Sequence, residues 1–202
     1  MTVLKDLRPF PPSGFFHLRA EVLKEGKKRL NSQYFLPDTT GLLGERKFAD
    51  LAFAWSPQGL KACAEVKKTL EEGDYLELFI DTRDLKTASV VTRFCHHFLF
   101  YPEEVEGTQA LEVTRFRGDD KHELAAPTLF AVKTVVRKNT YTMDIGIPKE
   151  ALYGYDPKEF KRLGFCYRFV RKNGEPQHFG VSSNFFTLEK HPALWASLEL
   201  KG

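Results

Sequence analysis

Segment after segment of this chain alternates apolar and polar side chains with a period of two, and sustained helical periodicity is nearly absent. Successive side chains of a strand point to opposite faces, so this pattern commits the chain to sheets buried on one side. Ala49, Leu51, Phe53 and Trp55 alternate with Phe48, Asp50, Ala52 and Ala54, and Ser56-Pro57-Gln58-Gly59 then supplies Pro and Gly where a type I turn takes them. The return strand sends Leu60, Ala62, Ala64 and Val66 inward and Lys61, Glu65 and Lys67 to water. A second hairpin runs over 130–137, turns at Lys138-Asn139 and returns through Tyr141, Met143, Ile145 and Ile147. A third follows the strand of Phe165, Tyr167 and Phe169, where Asn173-Gly174 suits a type I′ turn. Residues 194–200 read as a last strand, and 148–152 and 156–161 as short helical turns. Aromatic residues make up 13% of the chain, a load that pleated, half-buried surfaces accommodate. These features predict an all-β fold, a two-sheet antiparallel β-sandwich of jelly-roll or immunoglobulin-like form with only short helical turns.

A length of 202 residues suits one sandwich domain over 15–202, preceded by a Pro-rich arm at 1–14. A formal charge of +3, with Lys and Arg interleaved among Asp and Glu, argues against a nucleic-acid partner. The basic run at 24–29 is broken by Glu25 and Gly26 and reads as a solvated turn. The first twelve residues carry Lys5, Asp6 and Arg8 and no apolar signal region, and no apolar run approaches a membrane span. A cytoplasmic protein with no membrane partner is expected. Three cysteines, Cys63, Cys95 and Cys166, are few and odd in number, which predicts free thiols.

Chemistry is densest in the strands over 75–84 and 92–101. If they pair with Asp81 opposite Arg93, Phe79 falls opposite Cys95 and Glu77 opposite His97. One face then holds Leu76, Leu78, Ile80, Phe94, His96 and Phe98. The other collects Asp81, Glu77, Arg93, His97 and Cys95, to serve either as cross-strand ion pairs or as a ligand-facing polar patch that Arg83 adjoins. Cys95 and His97 sit at i and i+2, roughly 6 to 7 Å apart, too far for a nucleophile and its base. Alternation sends His96 and His97 to opposite faces, which opposes a shared metal shell and makes His96 a hydrogen-bonded core histidine. HExxH, CxxC pairs, an EF-hand loop, a phosphate-binding glycine loop and GxSxG are absent from the sequence.

Residues 76–84 (LELFIDTRD), 141–152 (YTMDIGIPKEAL), 163–170 (LGFCYRFV) and 194–200 (LWASLEL) resemble strands of the carbohydrate-binding module family 9-like sandwiches, a superfamily related to DOMON domains. Through 93–98 (RFCHHF) the chain is most similar to an uncharacterised bacterial group within it. The resemblance implies a non-catalytic module that binds a carbohydrate or similar polar ligand, with a sugar stacked between two Trp and structural calcium at loops. It also brings two alternatives: a haem- or metal-binding DOMON-like sandwich using Met143 and a histidine, or an interaction protein without a small-molecule ligand. Alternation of Met143 with Tyr141 and Ile145 favours a core role, and Trp55 shares a face with Leu51 and Phe53. No cofactor is expected apart from that calcium, and any protein partner is left open.

The second Trp supplies the platform reading. Trp195 alternates with Leu194 and Ala196 on the side that carries Ser197 and Glu199, so it is expected to face solvent and stack on a sugar, unless a loop such as 178–186 covers it. The expected ligand-binding set is Trp195, Arg93, His97, Asp81, Glu77 and Arg83, with no catalytic residue and no metal ligand.

Overall fold

The computed structural model describes residues 17–26, 30–88 and 90–202, so the predicted arm at 1–14 and part of the basic run lie outside the described residues. Eleven strands form along them: β1 (Arg19–Leu23), β2 (Ala49–Ser56), β3 (Gly59–Val66), β4 (Tyr75–Asp81), β5 (Cys95–Val105), β6 (Thr108–Glu112), β7 (Ala131–Val136), β8 (Tyr141–Pro148), β9 (Arg162–Val170), β10 (Gln177–His178) and β11 (Ala196–Lys201). A large sheet runs in the order β1-β11-β9-β4-β5-β6, with β10 also paired to β9, and a small sheet runs β2-β3-β8-β7.

The alternation explains the layers. Phe53, Ala62, Met143 and Ile145 of the small sheet and Leu76, Leu78, Ile80, Phe98, Phe165 and Leu198 of the large one share one buried core. Phe53 meets Phe165 across it at 4.7 Å between ring centroids. Each of the larger side chains taken from water contributes about 1.5–3 kcal/mol. Met143 and Trp55 belong to this core, as the periodicity predicts. Between the sheets Gln177 takes the place of a ladder: its Oε1 accepts from the amides of Phe48 (2.7 Å) and Ala49 (2.9 Å), and its Nε2 donates to the Ala49 carbonyl and the Tyr167 hydroxyl.

The first hairpin closes on Pro57 and Gln58, with Ser56 paired to Gly59. Gly59 has φ 141, and a Cβ there would lie 2.2 Å from the Ile147 carbonyl oxygen, so only glycine fits. The second hairpin forms as expected, β7 against β8. Four expectations are corrected. β1 pairs with β11 in parallel, alone among the ladders described. Asn173 is not among the residues with positive φ, so the segment after β9 is a longer loop and not a type I′ turn. Residues 156–161 form a turn without a helix, and a short helix appears instead at α1 (Thr40–Leu43). The last strand starts at Ala196, which leaves Trp195 at the end of a 3₁₀ turn, Pro192–Leu194, outside the strand pattern.

Candidate functional site

On the large sheet, β4 lies between β5 and β9, and its outward side chains are Tyr75, Glu77, Phe79 and Asp81. The β4–β5 register places Asp81 opposite Cys95, Phe79 opposite His97 and Glu77 opposite Leu99. This is two residues away from the expected pairing, because β5 begins only at Cys95 and the Thr82 amide closes on the Phe94 carbonyl instead. A shift of two preserves the face of every side chain, so Glu77 and His97 still share the outer surface, now as diagonal neighbours.

They meet there. His97 Nε2 lies 3.3 Å from Glu77 Oε1, and the ring stacks on Phe79 at 4.3 Å. The dominant partner is one that sequence reasoning missed. Arg168 of β9 sits directly opposite Glu77 and grips its carboxylate with both Nε and Nη2, the latter at 2.9 Å. Burial would raise the Glu77 pKa, but the His97 and Arg168 hydrogen bonds and the guanidinium charge hold it below the usual carboxylate value. Tyr75 and Tyr101 flank this cluster on the same face, their rings 6.1 Å apart. Glu77 is almost closed off at 5% side-chain exposure, whereas Arg168 keeps 23% and His97 14%, so water reaches the cluster through its nitrogens. Alternation with Tyr167 and Phe169 puts Arg168 on the outer face, but only the strand order reveals that β9 adjoins β4.

The other expected members are elsewhere. Trp195 is 1% exposed and packs with Phe79, Cys95, Cys166, Val181 and Leu188, its indole N–H donating to the Leu188 carbonyl at 3.0 Å. The segment after β10 folds over this half of the outer face and covers the ring, so the expected solvent-facing platform is replaced by a second apolar cluster. Asp81 does not meet Arg93. Its carboxylate accepts the amides of Arg83 (2.9 Å) and Leu85 (2.7 Å) and thereby closes the turn after β4, and burial raises its pKa. Arg93 lies before β5 and pairs with Asp120 at the surface. Arg83 turns away from the face: it donates to the Gly154 and Thr82 carbonyls, and its guanidinium lies between the rings of Phe94 and Phe160, 3.6 Å from the latter's centroid. All three cysteines are buried, and none forms a disulfide among the described residues. Burial pushes the Cys95 thiol up to about 11 and Cys166 up to about 12.

On the opposite face of β5, His96 is completely buried, as expected of a core histidine, but its setting was not legible in sequence. His96 Nδ1 and His122 Nε2 each lie 2.9 Å from Glu112 Oε1. The Thr114 hydroxyl donates to the same oxygen at 2.8 Å, and the Ala125 amide to Oε2 at 2.7 Å. Burial would raise the Glu112 pKa, yet the two histidines and the Ala125 amide bring it to about 2. His96, Glu112 and His122 are the one group of three such donors that converges among the described residues. Glu112 ends β6 and His122 stands in an irregular segment, so no spacing rule joins them to His96.

A separate cleft of about 720 Å³ opens along the β6 edge and the outer face of the small sheet, lined by residues that include Lys61, Gln109, Phe130, Lys133 and Asp144. None of the expected site residues lines it. No helix among the described residues is long and apolar enough to cross a membrane.

No protein-family model matches the chain, and no curated protein matches it. Solved structures do. A carbohydrate-binding module family 9 protein from Caldicellulosiruptor kristjanssonii in complex with glucose superposes with a TM-score of 0.60 at 15% identity, over 91% of this chain and 96% of that one. A structure of a family 9 module from the same organism with cellotriose gives 0.57 at 15% identity, over 91% and 94%. Two stacked sheets in this order, matched along nearly the whole length of both chains, give this protein a carbohydrate-binding module family 9-like fold.

Proposed function

We propose that this protein is a non-catalytic carbohydrate-binding module and that Glu77, Arg168 and His97 form the floor of its sugar site. The observation that carries the reading is this charged cluster on the outer face of the large sheet, flanked by two tyrosines, in a fold whose solved neighbours hold glucose and cellotriose. A sugar presents adjacent hydroxyls that both donate and accept. A carboxylate locked beside a guanidinium offers an acceptor and donors at matching spacing, and the edges and faces of Tyr75 and Tyr101 suit the C–H surface of the ring. The charges are already paired, so they need little reorganisation to receive hydroxyls.

The same features support binding over catalysis. Glycoside hydrolysis in its usual form needs two free carboxyl groups facing across the bond. On this face Glu77 is held ionised by Arg168 and by its hydrogen bond with His97, and Asp81 is spent on the backbone of a turn. The buried thiols of Cys95 and Cys166 are kept protonated. Titration calorimetry with glucose, cellotriose, xylotriose and chitotriose tests the reading. Saturable binding to at least one sugar, abolished in Arg168→Ala and kept in Lys133→Ala in the separate cleft, is the expected outcome. A flat titration across the panel, or binding that survives Arg168→Ala and fails in Lys133→Ala, removes the site from this face.

A further inference from the structure

We propose that His96, Glu112 and His122 form a buried site for a divalent cation of the zinc class, which ties the segment after β6 onto the end of the sandwich.

Proton accounting leads there. His122 Nδ1 is 2.6 Å from the Arg93 carbonyl oxygen, an atom that can only accept, so Nδ1 carries the proton. In the neutral ring Nε2 then presents a lone pair, and it points at Glu112 Oε1 from 2.9 Å. Two acceptors face one another with no hydrogen between them. That arrangement asks for a positive charge in the gap, a second ring proton or a metal ion. His96 adds an independent sign of incompleteness. Its Nε2 is fully buried and has no hydrogen-bond partner among the described residues. A proton on Nδ1 is donated to Glu112 Oε1, 2.9 Å away, and leaves Nε2 unanswered; with the proton on Nε2 instead, Nδ1 offers a second lone pair to an ion beside that oxygen.

The ligand atoms of the three residues lie within 4.8 Å of one another, close enough for a small ion to draw them into one shell by minor side-chain rotation. Two imidazole nitrogens and one carboxylate oxygen are a borderline-soft set that suits zinc; calcium, a hard ion, takes oxygen ligands throughout. The surroundings match what holds ligands of such ions in place. The Arg93 carbonyl fixes the His122 tautomer, and Thr114 and the Ala125 amide orient the carboxylate. Tyr153 stacks on His122 at 5.7 Å and 10°, and it is 44% exposed, so the cluster is one ring away from solvent. The ligands come from β5, from the end of β6 and from the irregular segment beyond it. Occupancy therefore joins a loop to a sheet.

The full-length chain, freed of any polyhistidine tag and stripped with a chelator, is titrated with Zn²⁺ by calorimetry. Co²⁺ is then used for its visible spectrum. One ion per chain is expected, with a cobalt spectrum free of a thiolate charge-transfer band, a raised melting temperature, and an affinity at least about tenfold weaker in His122→Ala. Replacing all three cysteines by Ser leaves the affinity unchanged. Imidazole ¹⁵N shifts of His96 and His122 on adding zinc to the unsubstituted protein report the same site should His122→Ala fail to fold. Absence of zinc binding, a thiolate band, unmoved imidazole resonances, or full affinity in a folded His122→Ala overturns the proposal. The sugar reading stands or falls separately, because its titration is run on the stripped protein.

Discussion

His96 and His97 are adjacent in sequence and each meets a glutamate, yet the two clusters are physical opposites. His97 and Glu77 lie on the outer face, where Arg168 supplies a permanent positive charge and keeps 23% of its side chain in water. His96 and Glu112 lie between the layers with His122, all but sealed, with no Arg or Lys among the described residues hydrogen-bonded to the carboxylate. In the outer cluster the charge balance is complete and the hydrogen bonds have slack. In the inner one every atom is enclosed, and the groups around the carboxylate are two imidazoles, a hydroxyl and a backbone amide. A buried carboxylate is tolerated only when its donors are satisfied, so enclosure makes the inner cluster structural and partial exposure makes the outer one available to a ligand.

The largest effect should come from the floor beneath the outer cluster. Trp195 packs on Phe79 at 5.7 Å, which in turn carries the His97 ring. Trp195→Ala should cost about 3–5 kcal/mol in urea unfolding and should open Cys95 and Cys166 to alkylation in the native state. A folded, thiol-protected variant with unchanged stability would mean that this half of the outer face is not a core. Next, Glu112→Gln sets an amide nitrogen among donors and should cost about 2–3 kcal/mol in the metal-free protein. A neutral result would erase the contrast between the clusters.

Glu77→Gln should cost less, about 1–2 kcal/mol, because water can take over part of Arg168. It should also change the pH dependence. The folded-state pKa of Glu77 is depressed below 4.5, so its contribution is complete above that value and is lost as pH falls through the folded-state pKa. The unfolding free energy of the Gln variant should therefore fall less steeply over that acid range than that of the unsubstituted protein. An identical slope would show that the Arg168 grip does not persist in solution. The smallest effect belongs to the surface pair of Arg93 and Asp120, each about half exposed. Asp120→Asn should leave the melting temperature unmoved, and a clear drop would mark the loop before β5 as part of the inner cluster's support.

Much of the architecture was legible because a period of two has one physical meaning. The β2–β3 and β7–β8 hairpins, the core faces of β4 and β5, and the core roles of Trp55 and Met143 all follow from alternation plus turn chemistry. The outer-face placement of Glu77 and His97 survived a register error because the error was two residues, which pleating forgives. Trp195 was misplaced for the same reason in reverse. One turn of 3₁₀ structure before β11 takes it out of the alternation, and periodicity inside a strand carries no information beyond the strand's end.

What the sequence by itself determined is which side chains can be dry and which must be wet on each strand, since that depends only on neighbours one and two residues away. Tertiary structure alone decided which strands lie side by side and what covers them. Arg168 reaches Glu77 across 91 residues, and His122 reaches His96 and Glu112 from an irregular segment. Both meetings depend on sheet order and on the path of a loop, which are set by the packing of the whole core and leave no periodic trace in the residues that they bring together.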